Sequence, residues 1–467
     1  MRVNNLSFFD LPILIEKDVD APERSLAPAI SVNSHWPMRF HVLGLGPIGS
    51  LVSHHLCKTL DTTKHGVVLI HKNTQQLKKA NLAGNTLKVE REGVVNTSRA
   101  FRSEVFEAAT QLRYEKRAAD RLAREALISE NANADLYGRS SKAKGISPQC
   151  IQHTLLPIES LVVAIKAYTV VDSVRALIPR LTPDSTIVLL HNGMGVYERL
   201  VEDVFRNPEL RPHFIVAVND HGAWNKHYFH TVHAGVGSIA FGIVADPRGR
   251  NFEASVGDED IPARERVPSL DSIMSPEEGD DSPYRSLRNT VATLSNLSGL
   301  NAAWKPISHV ETAMKRKLVV NSVINPLTAL LGCRNGELLE SADARKIIQR
   351  VCSEAARAFA MQAQQEEGSW DDREKEVRIR SGFGRVSPGL SAQALEEECL
   401  RVINLTAGNI SSMLSDVRAG SYTEIDFMNG YLLGLGRTFN LPMTTTATLL
   451  NLIKMRTTIP LDRLVYM

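Results

Sequence analysis

The chain has 467 residues, of which 43% are hydrophobic and 23% charged, and its formal net charge is +2. This length suits two to three domains, and the nearly balanced charge argues against partners such as nucleic acids or acidic membrane surfaces. The scattered cysteines form no CxxC pair, so we expect no disulfide framework and no metal site. No apolar run approaches the ~18 residues of a membrane span. We predict a reducing, cytoplasmic location, with a mitochondrial one as the alternative.

Residues 1–37 precede the first clear strand pattern and carry several acidic residues, among them Asp10, Asp18 and Glu23. A mitochondrial presequence is rich in arginine and poor in acids, and a secretory signal has an apolar central run. Neither pattern is present in this segment. We therefore predict an extension that lies outside the folded core.

The first strand pattern, Phe40–Leu43, runs directly into a GxGxxG turn followed by apolar residues at helical spacing. In such a strand–turn–helix, the first glycine makes the tight turn, the second admits a pyrophosphate and the third packs helix on strand. The helix N-terminus then offers N–H groups to phosphates. A glycine-rich turn without a ligand is the alternative. The predicted cofactor-binding residues here are Gly44, Leu45, Gly46, Pro47, Ile48 and Gly49.

The second strand pattern, Val67–Ile70, ends in His71 and Lys72. An NAD site usually has an acidic residue at this point to bind the ribose 2′-hydroxyl. A cation there instead favours the 2′-phosphate of NADP, so we predict that Lys72 contacts NADPH. An exposed loop lysine is the alternative interpretation of Lys72.

Two further strand ends carry polar residues that we assign to the cofactor side of the site. The pattern Leu161–Ile165 ends in Lys166, and the pattern Thr186–Leu190 is followed by Asn192 in an Asn-Gly turn. In doubly wound sheets, ligands bind beyond the carboxyl ends of the strands. For Asn192 the alternative is an ordinary turn residue.

Composition shifts divide the chain. A highly charged stretch at about residues 102–148 and a stretch rich in Pro, Gly, Ser and acids at about 246–284 both predict insertions. From Arg285 onward the pattern is helical. We therefore predict an α/β protein in which a Rossmann-type dinucleotide-binding domain over residues 38–284 is followed by an all-α domain over residues 285–467.

One helical stretch stands out in the second half. Lys317, Asn321 and Asn325 recur every four residues, which places their side chains along one stripe of a helix. The residues between them are apolar, so the helix is predicted to be buried, where a cation and two amides are costly unless they line a polar cleft. Pro326 is expected to kink or break the helix. A solvated stripe on a surface helix is the alternative.

These motifs, taken together, resemble the ketopantoate reductase (2-dehydropantoate 2-reductase) family. The matching segments occur in family order and cover both predicted domains. They are GLGPIGS at 44–50, Lys166-Ala167, HNGMG at 191–195, KLVVNSVINPLTALL at 317–331, NISSML at 409–414 and TEIDFMNGYLLGLG at 423–436. The N-terminal extension and the insertions depart from the compact bacterial pattern and look like those of fungal members.

The resemblance implies reduction of 2-dehydropantoate to (R)-pantoate by NADPH, a step of pantothenate and coenzyme A biosynthesis. It also implies an active site in the cleft between the two domains. Lys317 falls on the catalytic lysine and Glu424 on the active-site glutamate, which we expect to orient the lysine. Asn321, Asn325, Asn409 and Ser412 fall on substrate-binding positions.

Two other functions stay open. The chain could reduce a different 2-keto acid on the same fold, or it could be a non-catalytic NADPH-binding protein. If the chain is a reductase of either kind, its partner is a small-molecule 2-keto acid. The oligomeric state is not fixed by the sequence, and a homodimer is one option.

Overall fold

The computed structural model describes residues 38–106, 156–257, 266–368 and 387–459. The predicted extension over residues 1–37 and most of the predicted insertion at 102–148 lie outside these described residues. The described strands are β1 (Arg39–Leu43), β2 (Gly66–His71), β3 (Leu87–Arg91), β4 (Val94–Ser98), β5 (Arg102–Val105), β6 (Ser160–Val163), β7 (Thr186–Leu189), β8 (His213–Asn219), β9 (Gly222–His227), β10 (His230–Gly235), β11 (Ile239–Ile243) and β12 (Ala302–Trp304).

The described helices alternate with the strands in the first part of the chain and then follow one another. They are α1 (Pro47–Thr59), α2 (Thr74–Leu82), α3 (Ala167–Leu177), α4 (Val196–Asp203), α5 (Leu270–Ile273), α6 (Arg285–Ser295), α7 (Ile307–Leu331), α8 (Ala342–Gly368), α9 (Ala392–Leu405), α10 (Ser412–Arg418), α11 (Asn429–Thr438) and α12 (Thr444–Thr458). None of these described helices is long and apolar enough to cross a membrane.

The main sheet has eight strands in the order β12-β11-β8-β7-β6-β1-β2-β5. All neighbouring pairs are parallel except β8 and β11. Strand β1 is covered on both faces, because Phe40 and Val42 on one face and His41 and Leu43 on the other are almost fully buried. Because β2 and β6 flank β1 on opposite sides, the carboxyl end of β1 is the point where a doubly wound sheet binds ligands.

A second, four-stranded sheet in the order β4-β3-β10-β9 covers helix α1. Its strands β3 and β4 form an antiparallel hairpin with a turn at Glu92 and Gly93. The pairing of β3 with β10 joins segments far apart in the chain, so it was not predicted. Helix α1 is buried between the two sheets through Leu51, Val52 and Leu56.

The predicted insertions and boundary need three corrections. Strand β5 pairs with β2, so the sheet continues into the segment assigned to the first insertion. Phe252 and Ile273 are buried in the core, so the second insertion is more than surface linker. Strand β12 pairs with β11, so the sheet also extends past the predicted boundary at 284/285. We call residues 38–304 the sheet lobe and residues 307–459 the helical lobe.

Helix α7 is the central helix of the helical lobe and packs against α8, α9, α10 and α12. It does not end at Pro326, so of the kink or break predicted there the break does not occur. A proline lacks an N–H, so it leaves the carbonyl four residues earlier, that of Ser322, without its helical partner. The buried Asn429 side chain, at the start of α11, donates to this carbonyl at 3.0 Å. This contact from a neighbouring helix replaces the missing bond, and α7 continues to Leu331.

Candidate active site

The glycine turn after β1 has the geometry of a phosphate-binding turn. Gly44 has φ +100°, which other residues rarely adopt. A Cβ on Gly49 would lie 1.7 Å from the Gly44 carbonyl oxygen, so the third glycine allows the close approach of helix and turn. Gly46 precedes α1, and Pro47 occupies its first turn. A Cβ on Gly46 would meet nothing within 4 Å, so the space beside the helix N-terminus is open for a ligand.

At the carboxyl end of β2 the two neighbouring residues differ in environment. Lys72 is exposed, so its ammonium is free to reach a ligand beside the strand end. His71 is buried, and its ring nitrogens contact the Tyr228 hydroxyl at 2.8 Å and the Ser103 hydroxyl at 3.0 Å. Burial lowers the pKa of His71 to about 4, so this ring is neutral at pH 7. Lys72 therefore supplies the positive charge of this pair.

The turn after β7 touches the helical lobe. Gly193 has φ +82°, and a Cβ there would lie 2.4 Å from the Phe427 carbonyl oxygen. The next residue, Met194, donates its N–H to the same carbonyl at 2.9 Å. The half-buried Asn192 precedes this contact, so it lies where the two lobes meet.

Lys166 comes directly before α3, at the carboxyl end of β6, and is bound to the helical lobe. Its Nζ is 2.7 Å from Asp416 Oδ2 and 3.4 Å from Glu424 Oε2. The other oxygen of Glu424 accepts from the Ala167 N–H at 2.9 Å, and Glu424 is only 4% exposed. Burial alone would lower the pKa of Lys166, but the two carboxylates outweigh it and raise that pKa. The lysine is therefore a firmly charged bridge between the lobes.

Lys317, on α7, is bound in the opposite direction, to the sheet lobe. Its Nζ donates to the Asn219 carbonyl and lies 3.9 Å from Asp220 Oδ1. Burial lowers the pKa of Lys317, and the carboxylates of Asp220 and Glu424 oppose that shift. Glu424, which we expected to orient Lys317, acts on it through charge in this structure but is not its direct partner. Glu424 pairs with Lys166 and the α3 N-terminus, and Asp220 is the carboxylate beside Lys317.

The predicted amide stripe lies on α7 as expected, but its members are not equally accessible. Asn321, one turn after Lys317, is half-buried. Asn325 is only 6% exposed, and its side-chain nitrogen contacts Met428 Sδ at 3.8 Å. The assignment of both residues to substrate binding stays a prediction.

Asn409 and Ser412, the two remaining predicted substrate contacts, are both exposed. Ser411, between them, is buried and caps α10 by accepting from the Leu414 N–H at 3.1 Å. Its hydroxyl also contacts Thr328 Oγ1 on α7 at 2.7 Å. The buried member of the serine pair thus holds the start of α10, and Ser412 is the member open to solvent.

Two acids of the cleft, Asp220 and Asp416, were missed by the sequence analysis. Asp220 follows β8, whose carboxyl end lies at the same edge of the sheet as those of β1, β6 and β7. The strand-end position that indicates Lys166 and Asn192 also applies to Asp220, because the apolar run Ile215–Val218 precedes it closely. Asp416 had no comparable signal, since an acid within an amphipathic helix is common.

Comparisons with known proteins agree with this architecture. Residues 40–246 match the family described as ketopantoate reductase PanE/ApbA, and residues 309–457 match its C-terminal counterpart, ketopantoate reductase PanE/ApbA C terminal. The first match covers the sheet lobe up to residue 246, including the glycine turn, Lys166 and Asn192. The second spans α7 and the rest of the helical lobe.

Individual relatives carry the same name. The 2-dehydropantoate 2-reductase of Salmonella typhimurium is 31% identical over 296 residues, which cover 63% of this chain and 73% of the relative. A Schizosaccharomyces pombe protein named as a probable 2-dehydropantoate 2-reductase is 22% identical over 418 residues, covering 89% and 95%.

A solved structure, the ternary complex of D-mandelate dehydrogenase with NADH and anilino(oxo)acetate, has a TM-score of 0.55 at 14% identity and covers 90% of this chain and 98% of that chain. This similarity concerns the fold alone. Both halves of the chain match the same family, and motifs of the two halves are in contact through Ala167 and Glu424 and through Met194 and Phe427. The chain therefore belongs to the ketopantoate reductase family.

Proposed function

We propose that this protein reduces 2-dehydropantoate to (R)-pantoate with NADPH, the pantoate-forming step of pantothenate and coenzyme A biosynthesis. The observation that carries the proposal is the position of Lys317. Its ammonium extends from a largely apolar helix to the carboxyl edge of the sheet, where it contacts Asn219 and faces Asp220. The name of the relatives and the family supports the substrate.

The residues at the glycine turn fit a nicotinamide dinucleotide. The open space at Gly46 and the N-terminus of α1 suit a pyrophosphate, because the first N–H groups of a helix lack partners within the helix. The exposed ammonium of Lys72, at the end of β2, favours a 2′-phosphate and therefore NADPH over NADH. When bound, the cofactor supplies the hydride.

Lys317 is the proposed proton donor. Negative charge develops on the ketone oxygen as the C2 carbon is reduced, and a nearby ammonium stabilises that charge. One N–H bond of Lys317 breaks as the O–H bond of the product forms, and the neutral amine then regains a proton from water. A pKa that is lowered from the usual lysine value suits this role, because the proton is given up more readily.

The polar residues around Lys317 are proposed to orient the substrate. Asn321, one turn along α7, is proposed to bind a hydroxyl of the substrate, with Asn325 behind it. The exposed Ser412 and Asn409 are proposed to bind the carboxylate. Glu424 acts indirectly in this proposal, because it holds Lys166 and the start of α3 in position.

The test is an assay of NADPH oxidation with purified protein, with ketopantoate, pyruvate and phenylglyoxylate as substrates and with NADH as the second cofactor. The highest kcat/KM is expected for ketopantoate with NADPH. Mass spectrometry of the product should then give the mass of pantoate. A higher kcat/KM for another 2-keto acid would assign the chain to the alternative reductase function. Binding of NADPH without turnover of any of these acids would overturn the enzymatic assignment.

A further inference from the structure

Asp220 is a buried carboxylate at the carboxyl end of β8 whose position is fixed by the main chain around it. Its N–H donates to the Ser238 carbonyl at 2.9 Å. A Cβ on Gly237 would lie 2.5 Å from the Asp220 carbonyl group, so the neighbouring segment is packed tightly against it. The Asp220 side chain is 12% exposed and the Lys317 side chain 23% exposed. The main chain thus holds the Asp220 carboxylate in place beside Lys317.

Of the two carboxylates that raise the pKa of Lys317, Asp220 has the larger effect. Glu424, the second carboxylate that acts on Lys317, is engaged by Lys166 and the Ala167 N–H. Burial lowers the pKa of His221, the neighbour of Asp220, and the Lys317 ammonium lowers it further.

Two charged residues of α9 act on the pKa of Asp220 in opposite directions. The Glu398 carboxylate raises this pKa, and the Arg401 guanidinium lowers it. Glu398 is itself paired with Arg316 at 3.1 Å and with Arg401 at 2.7 Å. Burial raises the pKa of Asp220, whereas the Lys317 ammonium lowers it. Each member of the pair thus favours the charged form of the other.

We propose that Asp220 is a positioning residue that keeps Lys317 protonated and directed into the cleft between turnovers. This inference rests on the proposed function, in which Lys317 protonates the ketone oxygen. The carboxylate itself transfers no proton to the substrate. Its charge favours the ammonium form, so after each turnover it assists the return of a proton from water to the neutral amine. The Asn219 carbonyl fixes the direction of the amine.

The first test is the pH profile of kcat/KM in Asp220→Asn. Turnover needs protonated Lys317, so activity is lost as pH rises through the pKa of that lysine. An opposite charge at this distance typically changes a pKa by about 1–3 units. Its removal lowers the pKa of Lys317, so the alkaline limb should move toward lower pH by about 1–3 units. Asp220→Glu, which keeps the charge, should restore most of the shift.

The matched control is Asp246→Asn. Asp246 is also a buried aspartate bound to a cation, with Arg248 Nε at 3.1 Å, but it follows β11 at the opposite edge of the sheet. This variant should leave the alkaline limb unchanged. If Asp220→Asn behaves like the control, the proposal is overturned. The same holds if Asp220→Asn raises KM alone, because that result would make Asp220 a substrate contact.

A second measurement separates this inference from the proposed function. Reductive methylation with ¹³C-formaldehyde labels the lysines, and the Lys317 signal is the one missing in Lys317→Arg. Its NMR titration in the free protein should show a lower pKa in Asp220→Asn than in the unsubstituted chain, whether or not ketopantoate is a substrate. An equal pKa overturns the role of Asp220. Asp220→Ser serves the same measurement should the asparagine variant fail to fold.

Discussion

The two lobes contribute to the cleft by different means. The sheet lobe contributes much of its part through backbone: the glycine turn at Gly44–Gly49, the N-terminus of α1 and the Asn219 carbonyl. The helical lobe presents side chains, above all Lys317 and Glu424. Backbone features recur wherever the chain makes the same turn, whereas side-chain contacts depend on which residues meet across the cleft. The comparison suggests that the sheet lobe holds the cofactor and the helical lobe carries the chemistry.

The two lysines between the lobes differ in their partners and in the direction of their pKa shifts. Lys166, from the sheet lobe, is bound by two acids of the helical lobe, and its pKa is raised. Lys317, from the helical lobe, contacts the sheet lobe, and its pKa is lowered. As pH rises, Lys317 should lose its proton first, while Lys166 keeps its charge to above its usual value of 10.5. One lysine is thus suited to bridging and the other to proton transfer.

The largest loss of stability is expected at the glycine turn, where helix and turn are in backbone contact. In Gly49→Ala the new methyl would lie 1.7 Å from the Gly44 carbonyl oxygen, which forces helix and turn apart. Overpacking of this kind costs about 1–3 kcal/mol or more, and backbone is less able to yield than a side chain. We expect loss of soluble protein or a strongly lowered Tm, measured by thermal unfolding.

Gly46→Ala is the matched variant, since its methyl meets nothing within 4 Å. Its Tm should stay unchanged, while the KM for NADPH rises about tenfold or more, because the methyl occupies space that a pyrophosphate needs. Equal Tm values for the two alanine variants would contradict the packing argument. An unchanged KM in Gly46→Ala would contradict the cofactor assignment.

A smaller loss is expected in Lys166→Met, which removes the cation between Asp416 and Glu424. Hydrogen bonds to charged groups contribute about 1.5–3 kcal/mol, so kcat/KM should fall about 10- to 100-fold, and the lobes should be held together less firmly. Steady-state kinetics and thermal unfolding measure both effects.

Lys454→Met is the control for this variant. Lys454 is 2.6 Å from Asp426, but both side chains are about half exposed, and such surface pairs contribute about 0–1 kcal/mol. Lys454→Met should keep nearly full activity. A bridging role for Lys166 would be untenable if the two methionine variants had the same kcat/KM.

The smallest effect is expected in Lys72→Ala, at the exposed end of β2. One charged contact to a 2′-phosphate is lost, so the KM for NADPH should rise about tenfold, equivalent to ~1.4 kcal/mol, while the KM for NADH stays the same. Lys64→Ala is the control, because Lys64 precedes the other end of the same strand. Equal changes for NADPH and NADH would remove Lys72 from the 2′-phosphate site.

Much of the fold could be predicted because its signals are local. The strand preceding Gly44, the GxGxxG turn and the apolar α7 with its Lys317 stripe each lie within one short stretch of sequence. The strand-end rule also brought Lys166 and Asn192 to one edge of the sheet. These predictions needed only periodicity, turn chemistry and the parallel order of the strands.

The remaining features depend on contacts between distant residues. Lys317 and Asn219 are 98 positions apart, and Glu424 and Ala167 are 257 apart. By charge alone, Glu424 could pair with Lys166 or with Lys317. The packing of the two lobes places it against Lys166. Likewise, α7 continues through Pro326 because Asn429 binds the unpaired carbonyl, and no local pattern indicates that contact.

The most direct test of the central claim is a rapid-mixing experiment on Lys317→Ala. Variant and unsubstituted protein are each saturated with NADPH, with occupancy checked by cofactor fluorescence, and then mixed with ketopantoate while NADPH absorbance is followed. Equal occupancy with oxidation about 10²–10⁴-fold slower in the variant, the range for loss of one acid–base group, is the predicted result. Oxidation at the same rate in both proteins would contradict the claim that Lys317 donates the proton.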